Sequence, residues 1–363
     1  MQLDALVVQA KKSKLFTSPI LEPDLARFLS DQADQIRALA KRAVESNVGQ
    51  VYWVGSGNSW CNLYSGHYLL DRYTNIPSEY YLSYELVWRQ PRRLDENSMA
   101  FFASFSGGTE DTVAALRHAK SRGAKTVAIV DKANSVMGEE ADFVIPFNST
   151  ALYILPLAAA YLFSLEVARL QGRPVEKTIE GLFCLPSALG RLYRDCEAGA
   201  RALALEYKDE NIFYTLASGP LFGLGYKFGL TVFMENMRVH GSFIETSEFR
   251  HGPAEMLDRE KPVMVFLVGT DETRSMSERV MATAHEGGAR VIAFDYQEYA
   301  EAAGCGSGCK NGVADPLLAP FVLMVPLQWF AVYSALLRGI TDLDERVLMG
   351  RGKMGKGKGV TWP

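Results

Sequence analysis

The chain has only five cysteines in 363 residues (Cys61, Cys184, Cys196, Cys305, Cys309), which does not suggest a disulfide framework at this size. Cys305 and Cys309 lie close together in "GCGSGCK", but no second pair accompanies them, so the stretch reads as a loop and not as a zinc site. Basic residues are also in short supply. Thirty-eight Lys and Arg against 42 Asp and Glu leave a net charge of −4, which argues against nucleic acid as a partner. The opening "MQLDALVVQAKKSK" lacks the basic-then-apolar order of a signal peptide, so a cytoplasmic location is expected.

Unbroken apolar runs of membrane length are missing too. "ALYILPLAAAYLFSLEVARL" is interrupted by Pro156 and Glu166, and "LLAPFVLMVPLQWFAVYSALL" carries two prolines and Gln328. Both are expected to be buried elements of a large core, the second as a strand followed by a helix. Several catalytic signatures are absent as well. There is no Gly-Lys-Ser/Thr triphosphate loop, no G-x-S-x-G elbow and no histidine pair at metal spacing. "GSGNSW" begins like a dinucleotide fingerprint, but Trp60 stands where the third glycine would allow close helix–strand packing.

What is present is a soluble, globular composition, 48% hydrophobic and 22% charged, long enough for two domains. Short apolar runs alternate with helical patterns: "VYWVGSG", "MAFFASFSGG", "KTVAIVD" and "ADFVIPF", then "NIFYTLASG", "PVMVFLVG" and "RVIAFDY". This alternation predicts an α/β fold of parallel sheets covered by helices on both faces. Val51 pairs with Ile212, Phe101 with Val263 and Val127 with Ile292 at nearly constant offset, and Ser56-Gly57 and Ser218-Gly219 end the two leading strands. The spacing predicts an internal duplication. The expected layout is a helical lead-in over 1–48, one domain over 49–172, a helical connector over 173–209, a second domain over 210–346 and a Gly- and Lys-rich tail over 347–363.

Two groups of residues can do chemistry. In "SFSGGTEDT" a strand ends in a Ser- and Gly-rich turn before a helix, so Ser104, Ser106 and Thr109 stand beside helix-terminal N–H groups. That arrangement suits a phosphate monoester; the plainer reading makes Thr109 a helix cap and Ser106 a turn residue. Gly57 and Ser59 lie at the matching end of the preceding strand, where open parallel sheets bind ligands. The second group is "ENMRVHGSFIETSEFRHGP". Glu235 falls on an apolar, apparently buried helix, where a carboxylate either has a partner such as Arg238 or serves as a base. His251 is held by a Gly-Pro turn, and His240 reads as a cation at a helix C-terminus.

"SFSGGTEDT" together with Glu235 and His251, sixteen positions apart, resembles the sugar isomerase (SIS) domain family in its tandem form, over about 35–346. "EFRHGPAEM", "GTDETRSMSERV" and "DERVLMGRG" are most similar to the fructosamine-6-phosphate deglycase branch. Val232 and Phe105 replace residues typical of glucosamine-6-phosphate synthase, which sets that branch aside. The resemblance implies two tandem flavodoxin-like, doubly wound domains. It implies a sugar phosphate bound by Gly57, Ser59, Ser104, Ser106 and Thr109, with Glu235 as the base and His251, from a neighbouring subunit, as its acid/base partner. No metal and no organic cofactor is expected, and a homodimer with shared active sites is. The implied reaction cleaves a ketosamine 6-phosphate to glucose 6-phosphate and an amine. Alternatives are an aldose–ketose isomerase, an aminosugar-phosphate deaminase and a non-catalytic sugar-phosphate sensor. Contacts to the amine are expected from loops such as 76–95 and from the tail.

Overall fold

A computed structural model describes residues 3–13, 20–303 and 315–344. The loop holding Cys305 and Cys309 and the tail fall outside these residues, so the expectations placed on them do too. Five parallel strands form the first sheet: β1 (Gln50–Gly55), β2 (Ser78–Leu82), β3 (Ser98–Ser104), β4 (Lys125–Val130) and β5 (Phe143–Pro146), in the order β2-β1-β3-β4-β5. Four more form the second: β6 (Ile212–Ala217), β7 (His240–Glu245), β8 (Val263–Val268) and β9 (Arg290–Asp295), in the order β7-β6-β8-β9. The second order repeats the first without its last strand. In both, the order reverses beside the first strand, and the crevice at that switch point is where such sheets hold ligands.

Period-two alternation assigns each strand's two faces. Val51, Trp53, Met99 and Phe101 join Phe213, Ala217, Val263 and Val265 in one core shared by both halves. Their alternates Tyr52, Val54, Ala100 and Phe102 pack under the helix Glu110–Ser121. Leu216, Met264, Phe266 and Val268 form a third cluster in the second half. With both faces covered, the strands need no polar side, which explains their continuous apolar runs.

Four expectations are corrected. The segment 316–337 is not a strand followed by a helix. It is one 3-10 turn, Pro316–Leu318, leading into a single helix, Ala319–Leu337. Pro320 falls in the first turn, where its missing N–H costs nothing, and the helix is apolar on every side because it lies inside the shared core. It is long and apolar enough to cross a membrane, but 94% of its apolar window is buried within the protein. The stretch 76–95 is not simply a loop, since it contains β2 and the helix Ser83–Arg89. His240 does not end a helix. Arg238 adopts φ +53° and stops the helix after Met237, and His240 begins β7 in register with Ile212. Glu235 is half-buried, not buried, and its helix is a π-helix, Lys227–Met237. Among the described cysteines Cys61 and Cys196 are free thiols and Cys184 is disulfide-bonded.

Candidate active site

The site is built at the carboxyl ends of β1 and β3, neighbours in the first sheet. After β1 the chain turns through Gly57 at φ +56°, ψ −126°, a conformation glycine reaches and other residues rarely do. A Cβ there would meet nothing within 4 Å, so backbone geometry and not crowding calls for glycine. The turn delivers Asn58 and Ser59, both half-buried, to the start of the helix Asn58–Tyr73. Ser56 Oγ donates to Asp111 Oδ2 at 2.5 Å and thereby ties this turn to the helix that follows β3.

After β3 the three predicted hydroxyls converge. Ser104 Oγ lies 2.7 Å from Thr109 Oγ1, and Ser106 Oγ lies 3.4 Å from the same atom. Gly107 N–H donates to Ser104 Oγ at 3.1 Å and Gly108 N–H to Ser106 Oγ at 3.3 Å. Thr109 occupies the N-cap position of Glu110–Ser121, yet its side chain makes no capping bond. Its hydroxyl faces the loop instead, and the first-turn N–H groups are left without that cap. Thr109 thus holds the N-cap position of the plain reading without the side-chain capping bond. Gly107 at φ +60° is obligatory here, because a Cβ would fall 2.1 Å from Ser135 Oγ.

Glu235 comes from the second half. Its helix packs on β7 so closely that a Cβ on Gly229 would lie 2.4 Å from Ser242 O, and one on Gly241 2.1 Å from Gly229 O. The helices that follow the two leading strands also meet across the halves. Trp60, the ring that displaces the fingerprint glycine, packs on Tyr226 at 4.7 Å between centroids, and Tyr64 stacks on Phe222 at 4.5 Å. Arg238, the candidate structural partner of Glu235, pairs with Asp342 at 2.8 Å.

His251 is exposed and follows the 3-10 turn Thr246–Arg250, which packs on the helix Arg274–Glu286. The Glu235 helix packs instead on β7 and Ala319–Leu337. Within one chain, then, the first-half residues are gathered together, while Glu235 and His251 sit on separate elements. His251 Nε2 accepts from Arg250 Nε at 3.1 Å.

Lys227 and its partner Asn58 both escaped the sequence reading. Lys227, 1% exposed, donates to Asn58 Oδ1 at 2.8 Å. Burial lowers its pKa to about 8, while Cys61 and Glu235 act to hold the proton. Burial pushes the Cys61 thiol up to about 12. The signal was a lysine inside the apolar "LFGLGYKFGL", a costly placement that calls for a partner or a use.

Comparison with known proteins gives this geometry its family. A family model of the SIS domain matches residues 46–170. Fructoselysine 6-phosphate deglycase of Escherichia coli (strain K12) is 30% identical over 329 residues, spanning 90% of this chain and 93% of the relative. The chain belongs to the SIS-domain family. A fructosamine deglycase of Bacillus subtilis is 28% identical over 271 residues, 73% of this chain and 82% of its own. The crystal structure of a phosphosugar isomerase from Bacillus subtilis superposes with a TM-score of 0.71 at 29% identity, covering 84% of this chain and 95% of that one. This SIS protein is thus a deglycase-like enzyme of the sugar-phosphate deglycase and isomerase group.

Proposed function

We propose that this SIS enzyme cleaves a ketosamine 6-phosphate, an amine carried on C1 of fructose 6-phosphate, to glucose 6-phosphate and the free amine. The observation that carries the reading is the convergence of the Ser104, Ser106 and Thr109 hydroxyls at the switch point of the first sheet, in a chain so similar to a fructoselysine 6-phosphate deglycase. The phosphate is held by these hydroxyls and the adjoining N–H groups, with Gly57 and Ser59 completing the sugar site. Anchored there, the open-chain sugar presents C1 to Glu235.

Glu235 removes a proton from C1 as the C2 carbonyl oxygen gains one, giving an enaminol. His251 of a neighbouring subunit manages the proton at that oxygen. Reprotonation at C2, with loss of the nitrogen proton, gives a C1 imine, and water adds to it to release the amine and leave the aldehyde of glucose 6-phosphate. The substrate's own nitrogen stabilises the intermediate. Support for a homodimer comes from Leu230 and Met234, apolar residues on the Glu235 helix that are 40% and 43% exposed in the single chain. A cytoplasmic location accords with a phosphorylated metabolite as substrate.

The test is incubation with a panel of phosphorylated Amadori compounds, following glucose 6-phosphate by a coupled assay. Release from at least one 6-phosphorylated member, and none from the unphosphorylated counterparts, is expected. Interconversion of free aldose and ketose phosphates with no amine release would replace this reading by an isomerase.

A further inference from the structure

Lys227 and Thr231 stand one turn apart on the π-helix of the second half, and both reach Asn58 in the first. Lys227 Nζ lies 2.8 Å from Asn58 Oδ1 and Thr231 Oγ1 lies 2.9 Å from the same oxygen. Thr231 Oγ1 is also 2.6 Å from Lys227 O, so its one proton is shared between the two acceptors. Lys227 Nζ sits 4.9 Å above the Tyr153 ring, and both residues wall a cleft that also includes Thr150, Leu152 and Gln328. An ammonium can only donate, so the carboxamide atom that faces it must be the oxygen. Chemistry therefore fixes which way Asn58 points: its amino group is turned away from the clamp. Asn58 stands between Gly57 and Ser59, the turn already assigned to the sugar.

We propose that Lys227 and Thr231 are positioning residues that lock the Asn58 carboxamide from across the two halves, so that its amino group donates to an oxygen of the bound open-chain sugar. The inference rests on the sugar-phosphate reading of the site and extends it to three residues. The clamp also gives the second half a direct hold on the sugar turn, from the same helix that carries Glu235. A buried ammonium with a single carboxamide partner is an expensive way to fill space, and an apolar side chain would pack there without that cost.

Asn58→Asp decides the matter, because it keeps an acceptor for both clamp donors and replaces the outward amino group by a second acceptor. Affinity for sorbitol 6-phosphate, an open-chain sugar phosphate that cannot react, is read by calorimetry alongside Tm. The expected result is about a tenfold or greater loss of affinity in Asn58→Asp, one hydrogen bond's worth, with Tm unchanged or raised. Lys227→Met should show a loss of similar size, and the double variant little more than either single one. Wild-type affinity in Asn58→Asp would overturn the proposal, as would fully additive losses. If Asn58→Asp fails to fold, the isosteric Thr231→Val carries the test: about threefold weaker binding supports the clamp and unchanged binding sinks it. Ser104→Ala with Ser106→Ala separates the two levels. Loss of affinity there but not in the clamp variants overturns the clamp alone. No binding by the unaltered protein overturns the sugar-phosphate reading and the clamp together.

Discussion

The two halves turn the same strand order to different ends. Gly57 and Gly219 follow the leading strands with the same φ of +56°, and a loop follows the next strand of each switch point. In the first half that loop is "SFSGGT", uncharged, with its hydroxyls converging on one another and accepting from the Gly107 and Gly108 N–H groups. In the second it is "VGTDET", which carries two acids, and its buried Thr270 Oγ1 and Asp271 Oδ2 make no hydrogen bond among the described residues. Asp271 Oδ1 accepts from Thr273 N–H at 2.8 Å, Arg274 clasps Asp295 with contacts of 2.9 and 2.7 Å, and Ser218 donates to Glu245. An acidic loop repels a phosphate, whereas an uncharged cluster of hydroxyls suits one. One strand order therefore carries an uncharged, hydroxyl-rich loop in one half and an acidic loop in the other.

The largest expected effect is on chemistry. Glu235→Gln keeps shape and hydrogen-bonding capacity but cannot take the C1 proton, so kcat should fall by about 10²-fold or more, while affinity for sorbitol 6-phosphate is kept. Steady-state kinetics on the responsive Amadori compound measures it, and an unaltered kcat would make Glu235 a structural carboxylate. Next comes anchoring. Ser104→Ala with Ser106→Ala should raise KM for the 6-phosphorylated substrate by roughly 1–3 kcal/mol per site, and unchanged KM would remove the loop from the site.

Lys227 gives an effect visible only across pH. Its folded pKa of about 8 lies below the ordinary 10.5, so between these values the unfolded chain holds the extra proton. The stability of the wild type relative to Lys227→Met should therefore rise from pH 8 to pH 10.5, by about 3 kcal/mol over the window, and stay flat below pH 8. Urea melts at stepped pH read this, and a pH-independent difference would show that the ammonium is not held away from water. The smallest effect tests the contrast from its other side. Asp271→Asn, in the second-half loop, should leave KM within about twofold of wild type. A large rise would mean that both loops bind substrate.

Much of this was legible in the sequence, and the exceptions have physical causes. The strands β1, β3, β4 and β8 announced themselves because strands buried on both faces need no polar alternation, and β6 and β9 did so through their apolar runs "IFYTLA" and "VIAF". β2 and β7 did not. "SEYYL" and "HGSFIE" are sheet-edge strands with half-exposed patterns, and β7 follows so soon after the Glu235 helix that His240 read as its end. The single helix over Ala319–Leu337 was misread because Pro326 looks like a boundary, and only burial in the shared core holds the helix through it. The convergence of Ser104, Ser106 and Thr109 was readable because a Ser/Gly turn between strand and helix is local. The Lys227–Asn58 bond joins residues 169 positions apart, and no local pattern reports such a pairing.

On the proposed function the halves divide the labour, with the phosphate held by the first and the proton moved by the second. Running the reaction in D₂O and reading deuterium at C2 of the glucose 6-phosphate by NMR tests it most directly when set beside sorbitol 6-phosphate binding. Glu235→Gln should bind like wild type and give no labelled product, whereas the Ser104→Ala, Ser106→Ala variant should bind weakly and still label C2 at saturating substrate. Labelled product from Glu235→Gln at the wild-type rate, or label lost in the serine variant with binding intact, would contradict it.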